Sequence, residues 1–560
     1  MNPLNIIILF VVFAIATIGY FIMIDETGVD LIVYNGKIYV MNDDNDTVEA
    51  LAIQDGKIVA TGTNDQIKQL YESRTTIDLQ GRTVMPGLID AHAHMLGLGT
   101  SMLIIDLVGT TSAEEIAGLV SEEVRDTEPG EWIRGRGWDQ NHWPDREFPD
   151  HTVLDRVAPD NPVYLRRVDG HAAWINSDAL ERAGITRDTP DPEGGRIIRD
   201  AEGNPTGVLI DTAMKLVEDE IPEYSRAQKR EAVQLAIKEC LSYGITGVHD
   251  MGMGLETIDI YRDIIRSRDA AFRLYVTIGG TGETWEHFLQ RGPIKGQSRN
   301  MLTVRAIKLY SDGALGSRGA SLIEPYSDEP DNDGLLLTTE DEIYDVTLQA
   351  LENGFQVCTH AIGDRGNRVV LNAYERALQR IPAHNHRLRI EHAQVVHPDD
   401  FIRFKEYGII PSMQPIHCTS DMFWAVDRLG EERAKGAYAW RTFIDQGSII
   451  AGGSDFPVEP VNPLLGIFAA ETRQDENFEP EGGWLPEQRV TREEAFKMMT
   501  SWAAYASFEE DIRGTLEPGM LADFVIYPED VMTVDASKLL QIRPDKTVLG
   551  GTVVYDRNNE

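Results

Sequence analysis

From residue 83 onward, hydrophobic residues fall into short, β-branched runs bounded by turn residues. Eight such runs stand out, at 83–92, 245–250, 273–278, 303–309, 355–360, 388–392, 409–414 and 449–453. Stretches with helical spacing, such as 225–243 and 340–353, separate several of them. Strands alternating with helices predict an α/β protein built on a (β/α)8 TIM-like barrel, whose chemistry gathers at the C-terminal strand ends. Other β-like runs lie at the chain ends. Residues 30–40 place two around Asn35-Gly36, and 50–60 place two around Asp55-Gly56, both hairpin signals. Residues 519–527 and 548–555 repeat the pattern. A small β-sandwich built from 30–82 and 511–560 is therefore expected to flank a barrel at 83–510.

One interval breaks the rhythm. About 150 residues separate His94 from Ile245, where one βα step needs about 30. The interval holds Trp132, Trp138, Trp143 and Trp174 and a Pro/Asp/Gly-rich stretch at 188–195. It predicts a subdomain inserted at about 110–225, the kind of insertion that covers an active site; an unrelated appended module is the alternative. At the N-terminus, residues 6–24 are uncharged and almost wholly apolar, with no Lys or Arg before Lys37 and no Ala-x-Ala after the run. This length favours an uncleaved membrane anchor at 1–24 over a cleaved signal peptide. The expectation is an exported chain, membrane-anchored, periplasmic or extracellular.

Composition narrows the partners. At 560 residues the chain exceeds one ordinary core. A net charge of −39 argues against nucleic acid and against docking on anionic lipid. Cys240, Cys358 and Cys418 are too few and too scattered for a disulfide framework or a cysteine-based zinc site.

The strand ends carry the candidate chemistry. The first run leads into His92 and His94, which share one side of a strand and can grip one metal ion. Lys308 lies in the fourth run, His360 ends the fifth, His392 the sixth, and Asp455 follows the eighth. Four histidines and an aspartate suit Zn²⁺ or a similar divalent ion. A lysine is the odd member, because its ammonium, with a pKa of about 10.4, is repelled by a metal cation. A carbamate formed with CO2 removes the conflict and can bridge two metals. The plainer alternative pairs Lys308 with Asp312 beside a single metal.

The run Pro86-Gly-Leu-Ile-Asp-Ala-His92-Ala-His94, with this later lysine, two histidines and aspartate in order, resembles the amidohydrolase superfamily. Gly137-Trp138-Asp139, Val168-Asp-Gly-His171, Lys308-Leu-Tyr-Ser-Asp312, His360-Ala-Ile-Gly-Asp364, Met413-Gln-Pro-Ile-His417 and Gly453-Ser-Asp455-Phe-Pro resemble its amidohydrolase-3 branch, which is YtcJ-like and N-substituted formamide deformylase-like. The resemblance runs from about residue 30 to the C-terminus. It implies two divalent ions, zinc first among them. His92, His94 and Asp455 would hold one and His360 and His392 the other, with carboxylated Lys308 as the bridge. It further implies a hydroxide nucleophile between the metals, and Asp455 as the group that takes its proton and passes it to a leaving amine. Trp138, His171, Asp364 and His417 are expected to contact substrate; the alternative is metal binding for His171 and His417, and support of the fold for Trp138 and Asp364. His249 and Asp250 fit support and contact equally. The implied reaction is hydrolysis of a C–N bond in a small amide, formamide or N-acyl compound. The competing readings are a mononuclear deaminase, which Lys308 argues against, and a non-catalytic scaffold, which the filled ligand positions argue against. A homodimer is the default expectation for assembly.

Overall fold

Eight parallel strands form the ring that the hydrophobic runs predict. In this computed structural model, which describes residues 27–144, 146–267 and 271–559, they are β1 (Leu88–Ala93), β2 (Ile245–Met253), β3 (Arg273–Gly279), β4 (Leu302–Tyr310), β5 (Gln356–Ala361), β6 (Arg389–His392), β7 (Ile410–Met413) and β8 (Ala451–Gly452). Each pairs in parallel with the next in sequence, from β1 to β8. The ring is drawn together where the Asp455 N–H donates to the His92 carbonyl at 2.7 Å. Gly453 permits that approach, since a Cβ there would lie 2.5 Å from the His92 nitrogen.

Strand alternation sorts the side chains of β1. Ile89 and Ala91 pack outward with Ile410, Ala451 and Ala503, while Asp90 and His92 take the opposite face. Helices follow most strands. The helix Asp364–Arg380 turns Val370, Leu371, Tyr374 and Ala377 inward at helical spacing, and Glu340–Glu352 starts at a capping box of Thr339 and Glu342.

Both chain ends build a sandwich. A four-stranded sheet (Lys57–Gly62, Ala50–Gln54, Leu31–Tyr34, Thr76–Asp78) faces a six-stranded one (Thr552–Asp556, Lys546–Leu549, Phe524–Tyr527, Thr83–Pro86, Lys37–Tyr39, Thr47–Val48). Leu31, Val33, Leu51 and Ile53 from the first share a buried core with Ile38, Val84, Phe524, Ile526 and Val548 from the second. The Asp55-Gly56 hairpin forms as expected. The Asn35-Gly36 hairpin does not: the strands on either side enter different sheets. A Cβ at Gly36 would lie 2.2 Å from Leu79 Cδ1, so this glycine lets the crossing chain press against residues 79–82. The run at 83–92 is likewise two strands. Thr83–Pro86 belongs to the sandwich and Leu88–Ala93 to the barrel, with Gly87 between them at a spot where a Cβ would meet Thr246 Oγ1 at 2.4 Å.

The chain divides into two compact units. One joins the described residues up to Met95 with Ala236–Glu560; the other is Leu96–Leu235. The second unit has its own six-stranded sheet and a core in which Trp138, Trp143 and Trp174 meet with ring centroids 6.1–6.4 Å apart.

The expected membrane anchor and export are corrected. No helix among the described residues is long and apolar enough to cross a membrane, and the segment at 6–24 that prompted the expectation lies outside the described residues.

Candidate metal centre

Three histidines are held in one manner. His92 Nδ1 lies 2.6 Å from Glu391 Oε2, His392 Nδ1 2.8 Å from Gln414 Oε1, and His417 Nδ1 3.0 Å from Glu459 Oε1. A nitrogen facing an oxygen acceptor carries the proton, so each ring donates from Nδ1 and turns Nε2 the other way. This is the arrangement of metal-binding histidines, with an outer oxygen fixing tautomer and ring plane. His92 Nε2 is 3.6 Å and His94 Nε2 3.1 Å from Asp455 Oδ1, and His417 Nε2 is 3.3 Å from Asp455 Oδ2. Two groups result, each with all ligand atoms within 4.8 Å of one another: His92, His94 and Asp455, and His392, His417 and Asp455. Asp455 is common to both.

The backbone is bent to this purpose. His392 and Asp455 sit at strand ends with φ of 72° and 63°. Non-glycine residues adopt this region at a cost of about 1–3 kcal/mol each, and such strain collects where a site must be built.

His360 and Lys308 complete the cluster. The His360 ring lies 4.6 Å from that of His392, but its Nε2 has no hydrogen-bond partner among the described residues and is 3.8 Å from Asp312. Lys308 is 1% exposed, and its Nζ also lacks a hydrogen-bond partner among the described residues. It does not pair with Asp312, whose carboxylate accepts the N–H groups of Ser321, Ile362 and Gly363. Two buried, unpartnered nitrogens beside two His/Asp groups fit a site that holds cations and an anionic lysine derivative; an apolar core gives neither nitrogen a partner.

Electrostatics follow from burial. It lowers His92 to about 4 and His360 to about 3, with the nearby Lys308 charge acting in the same direction, and it pulls the Lys308 amine below its ordinary value. Neutral imidazoles and a neutral amine are the forms that ligate metal or react with CO2. Burial pushes Glu391 up, but Arg389 and His92 outweigh it and hold this carboxyl well below the usual range. Burial opposes the charge on His417, yet its bonds to Asp455 and Glu459 raise it to about 10.

Behind the ligands lies a network that the sequence reading did not single out. Arg389, fully buried, places Nη2 2.9 Å and Nε 2.8 Å from Glu391, and also reaches the Ala91 carbonyl, Ser412 Oγ and His249 Nδ1. The available signal was Arg389-Ile-Glu391, two charges at strand spacing in a run otherwise fit for burial. His249 is therefore support for the barrel, and so is Asp250, which accepts the Met95 N–H and the Tyr261 hydroxyl. Of the expected substrate contacts, His417 stands in the cluster. Asp364 accepts the N–H groups of Ile323 and Arg365 at a helix start. Trp138 is fully buried in the inserted unit and donates to the Leu165 carbonyl, and His171 is exposed and pairs with Asp211.

Residues 75–555 match the amidohydrolase family, Amidohydro_3. The chain belongs to the amidohydrolase family. This amidohydrolase is 35% identical over 541 residues to the putative amidohydrolase YtcJ of Bacillus subtilis, covering 94% of this chain and 99% of that one. It is 26% identical over 547 residues to the N-substituted formamide deformylase of Arthrobacter pascens, covering 94% and 98%. Among solved structures it is similar to an uncharacterized metal-dependent hydrolase from Pyrococcus horikoshii, with a TM-score of 0.75 and 28% identity over 90% of this chain and 99% of that one.

Proposed function

We propose that this amidohydrolase is a metal-dependent hydrolase of a C–N bond in a small amide, formamide or N-acyl compound, working with two divalent ions, zinc first among them. The observation that carries the reading is the common posture of His92, His392 and His417, each pinned at Nδ1 by a side-chain oxygen, around a shared Asp455. The likeness to an N-substituted formamide deformylase supports a formamide or related N-acyl substrate.

His92, His94, His392 and Asp455 would hold the ions, with His360 or His417 completing the second set and carboxylated Lys308 between the two. When bound, such ions lower the pKa of water from 15.7 to about 7 and polarise a carbonyl. The chain's own residues do the rest. Asp455 takes up a proton as the nucleophile attacks and delivers it to the departing nitrogen. Burial lowers the Lys308 pKa, which favours the free amine, the form that bonds to the carbon of CO2 and sheds a proton to leave an anion. Glu391 and Arg389 keep the His92 ring from turning.

The test is metal content per chain, measured by mass spectrometry with bicarbonate supplied, alongside assay on a panel of formamides and N-acyl amines. About two ions, with loss on Lys308→Ala of an ion and of hydrolysis, is the expected result. One ion unaffected by that substitution overturns the bridged reading in favour of a mononuclear site. Well-folded protein that accepts no metal overturns the enzymatic reading.

A further inference from the structure

Tyr310 stands over the Lys308 and His360 side of the candidate metal centre. It is the last residue of β4 and lies two positions after Lys308, so both side chains take the same face of the strand. It pairs in register with His360 on β5. Its ring centroid is 5.6 Å from that of His360 and 5.1 Å from Lys308 Nζ. Lys308 is 1% exposed, whereas Tyr310 is 44% exposed. The phenol is therefore where the buried cluster on β4 and β5 meets open space.

The ring is firmly held and left bare. The Ser311 N–H donates to the His360 carbonyl at 2.8 Å, and the Thr338 hydroxyl donates to the Tyr310 carbonyl at 2.6 Å, which fixes the backbone beside the ring. The Tyr310 hydroxyl itself has no hydrogen-bond partner among the described residues. On β2, a Cβ at Gly252 would lie 3.7 Å from this hydroxyl and 3.9 Å from Lys308 Cγ. Because that residue is glycine, it places no side chain over either group.

Ring order decides which half of a substrate meets Tyr310. β4 and β8 lie opposite each other, four strands apart either way round the ring. Asp455 follows β8, and Tyr310 ends β4. The placement rests on the function proposed above: the departing nitrogen comes to Asp455 to collect its proton. The acyl carbon bonded to that nitrogen then lies over the histidine cluster, and its substituent extends away from Asp455, toward β4.

We propose that Tyr310 is the acyl-side wall of the substrate site and sets the size of the acyl group. A formyl group, whose carbon carries only hydrogen, stops short of the ring. A branched acyl group runs into the phenol and is rejected. Such a wall acts by a clash with the wrong substrate rather than by a bond to the right one.

The test holds the amine constant and varies the acyl group. N-formyl and N-isobutyryl derivatives of one aryl-alkyl amine are assayed with the metal-loaded parent, Tyr310→Val and Tyr310→Trp. Valine suits a strand end and shortens the wall, whereas tryptophan extends it. The intrinsic reactivity of each amide is common to all three proteins and cancels from any change in ratio. The formyl-to-isobutyryl ratio of kcat/KM should fall by about tenfold or more in Tyr310→Val, the scale of a methylene or more in a pocket, and should rise in Tyr310→Trp. Opposite movements keep the test decisive if one variant fails to fold. If neither movement occurs while hydrolysis is intact, the wall alone is overturned. If no amide is hydrolysed, the proposed function fails separately. Calorimetric titration of the same proteins with formate and isobutyrate, the acyl halves as free acids, then still decides the wall. A gain in isobutyrate affinity relative to formate in Tyr310→Val supports it. No gain, or no binding of either acid, overturns it.

Discussion

Glu391→Gln is the sharpest single test of how the metal centre is held. The side chain is 0% exposed and has two partners, His92 Nδ1 at 2.6 Å and the Arg389 guanidinium at 2.8 and 2.9 Å. Glutamine preserves the shape and removes the charge, leaving the Arg389 guanidinium, also 0% exposed, with no counter-charge. Breaking one side of a buried pair costs about 3–5 kcal/mol. Loss of the carboxylate behind a ligating histidine weakens metal binding by roughly 10- to 100-fold. Because Glu391 is held well below its ordinary value, its contribution is present above about pH 4.5 and is lost only as pH falls through the lower folded value. The stability deficit of the variant should therefore stay constant from pH 6 to 9. Urea unfolding of metal-free protein measures the first effect, and competition with a chromophoric chelator measures the second. The double variant Arg389→Leu/Glu391→Leu should cost less than the sum of the singles, with a coupling of about 2 kcal/mol. A glutamine variant within about 1 kcal/mol of the parent, binding zinc within twofold, would refute both the pairing and the positioning argument.

Two further predictions concern His417 and Trp138. In metal-free protein, His417 is raised from 6.5 to about 10, so its stabilisation is complete below about pH 6.5 and disappears as pH rises through about 10. Loading metal onto His392, His417 and Asp455 at pH 8 must expel that proton. Calorimetry in buffers of different ionisation enthalpy should show about one proton more than for His417→Asn; no difference would assign the second ligand set to His360 and His392. Trp138→Ala should lower the thermal stability of the Leu96–Leu235 unit by about 3–5 kcal/mol, because the ring is core. A raised KM with unaltered unfolding would restore it as a substrate contact.

The barrel was legible because its signal is local and repeated. Most of the eight runs are apolar and rich in β-branched residues over the strand they form, Arg389–His392 with its charges being the exception that stands out, and the candidate ligands lie at or near the strand ends. What escaped depends on distance. Whether Asn35-Gly36 closes a hairpin is decided by Leu79 and Arg82, more than forty residues on in the sequence, pressing against a glycine. His417 stands beside His392 and Asp455 because the helix Pro415–Asp421 begins directly after β7 and carries it back over the strand ends. Trp138 shows why burial cannot be read from the sequence: a large aromatic ring serves a core and a pocket equally well, and the structure places this one in the core of the inserted unit. Arg389 and Glu391 were readable in principle, since a strand that buries two charges at alternate positions must pair them.

The junction at Gly87 governs how the protein can be made. The strand Thr83–Pro86, which runs directly into the strand bearing His92 and His94, lies between Lys37–Tyr39 and Phe524–Tyr527. Its neighbour on one side leaves the ribosome early and the other nearly last. Thr83–Pro86 therefore stays paired on one flank only until synthesis is almost complete. A ribosome-stalled or C-terminally clipped chain should then carry every candidate ligand while the strand leading into His92 and His94 lacks one of its two neighbours.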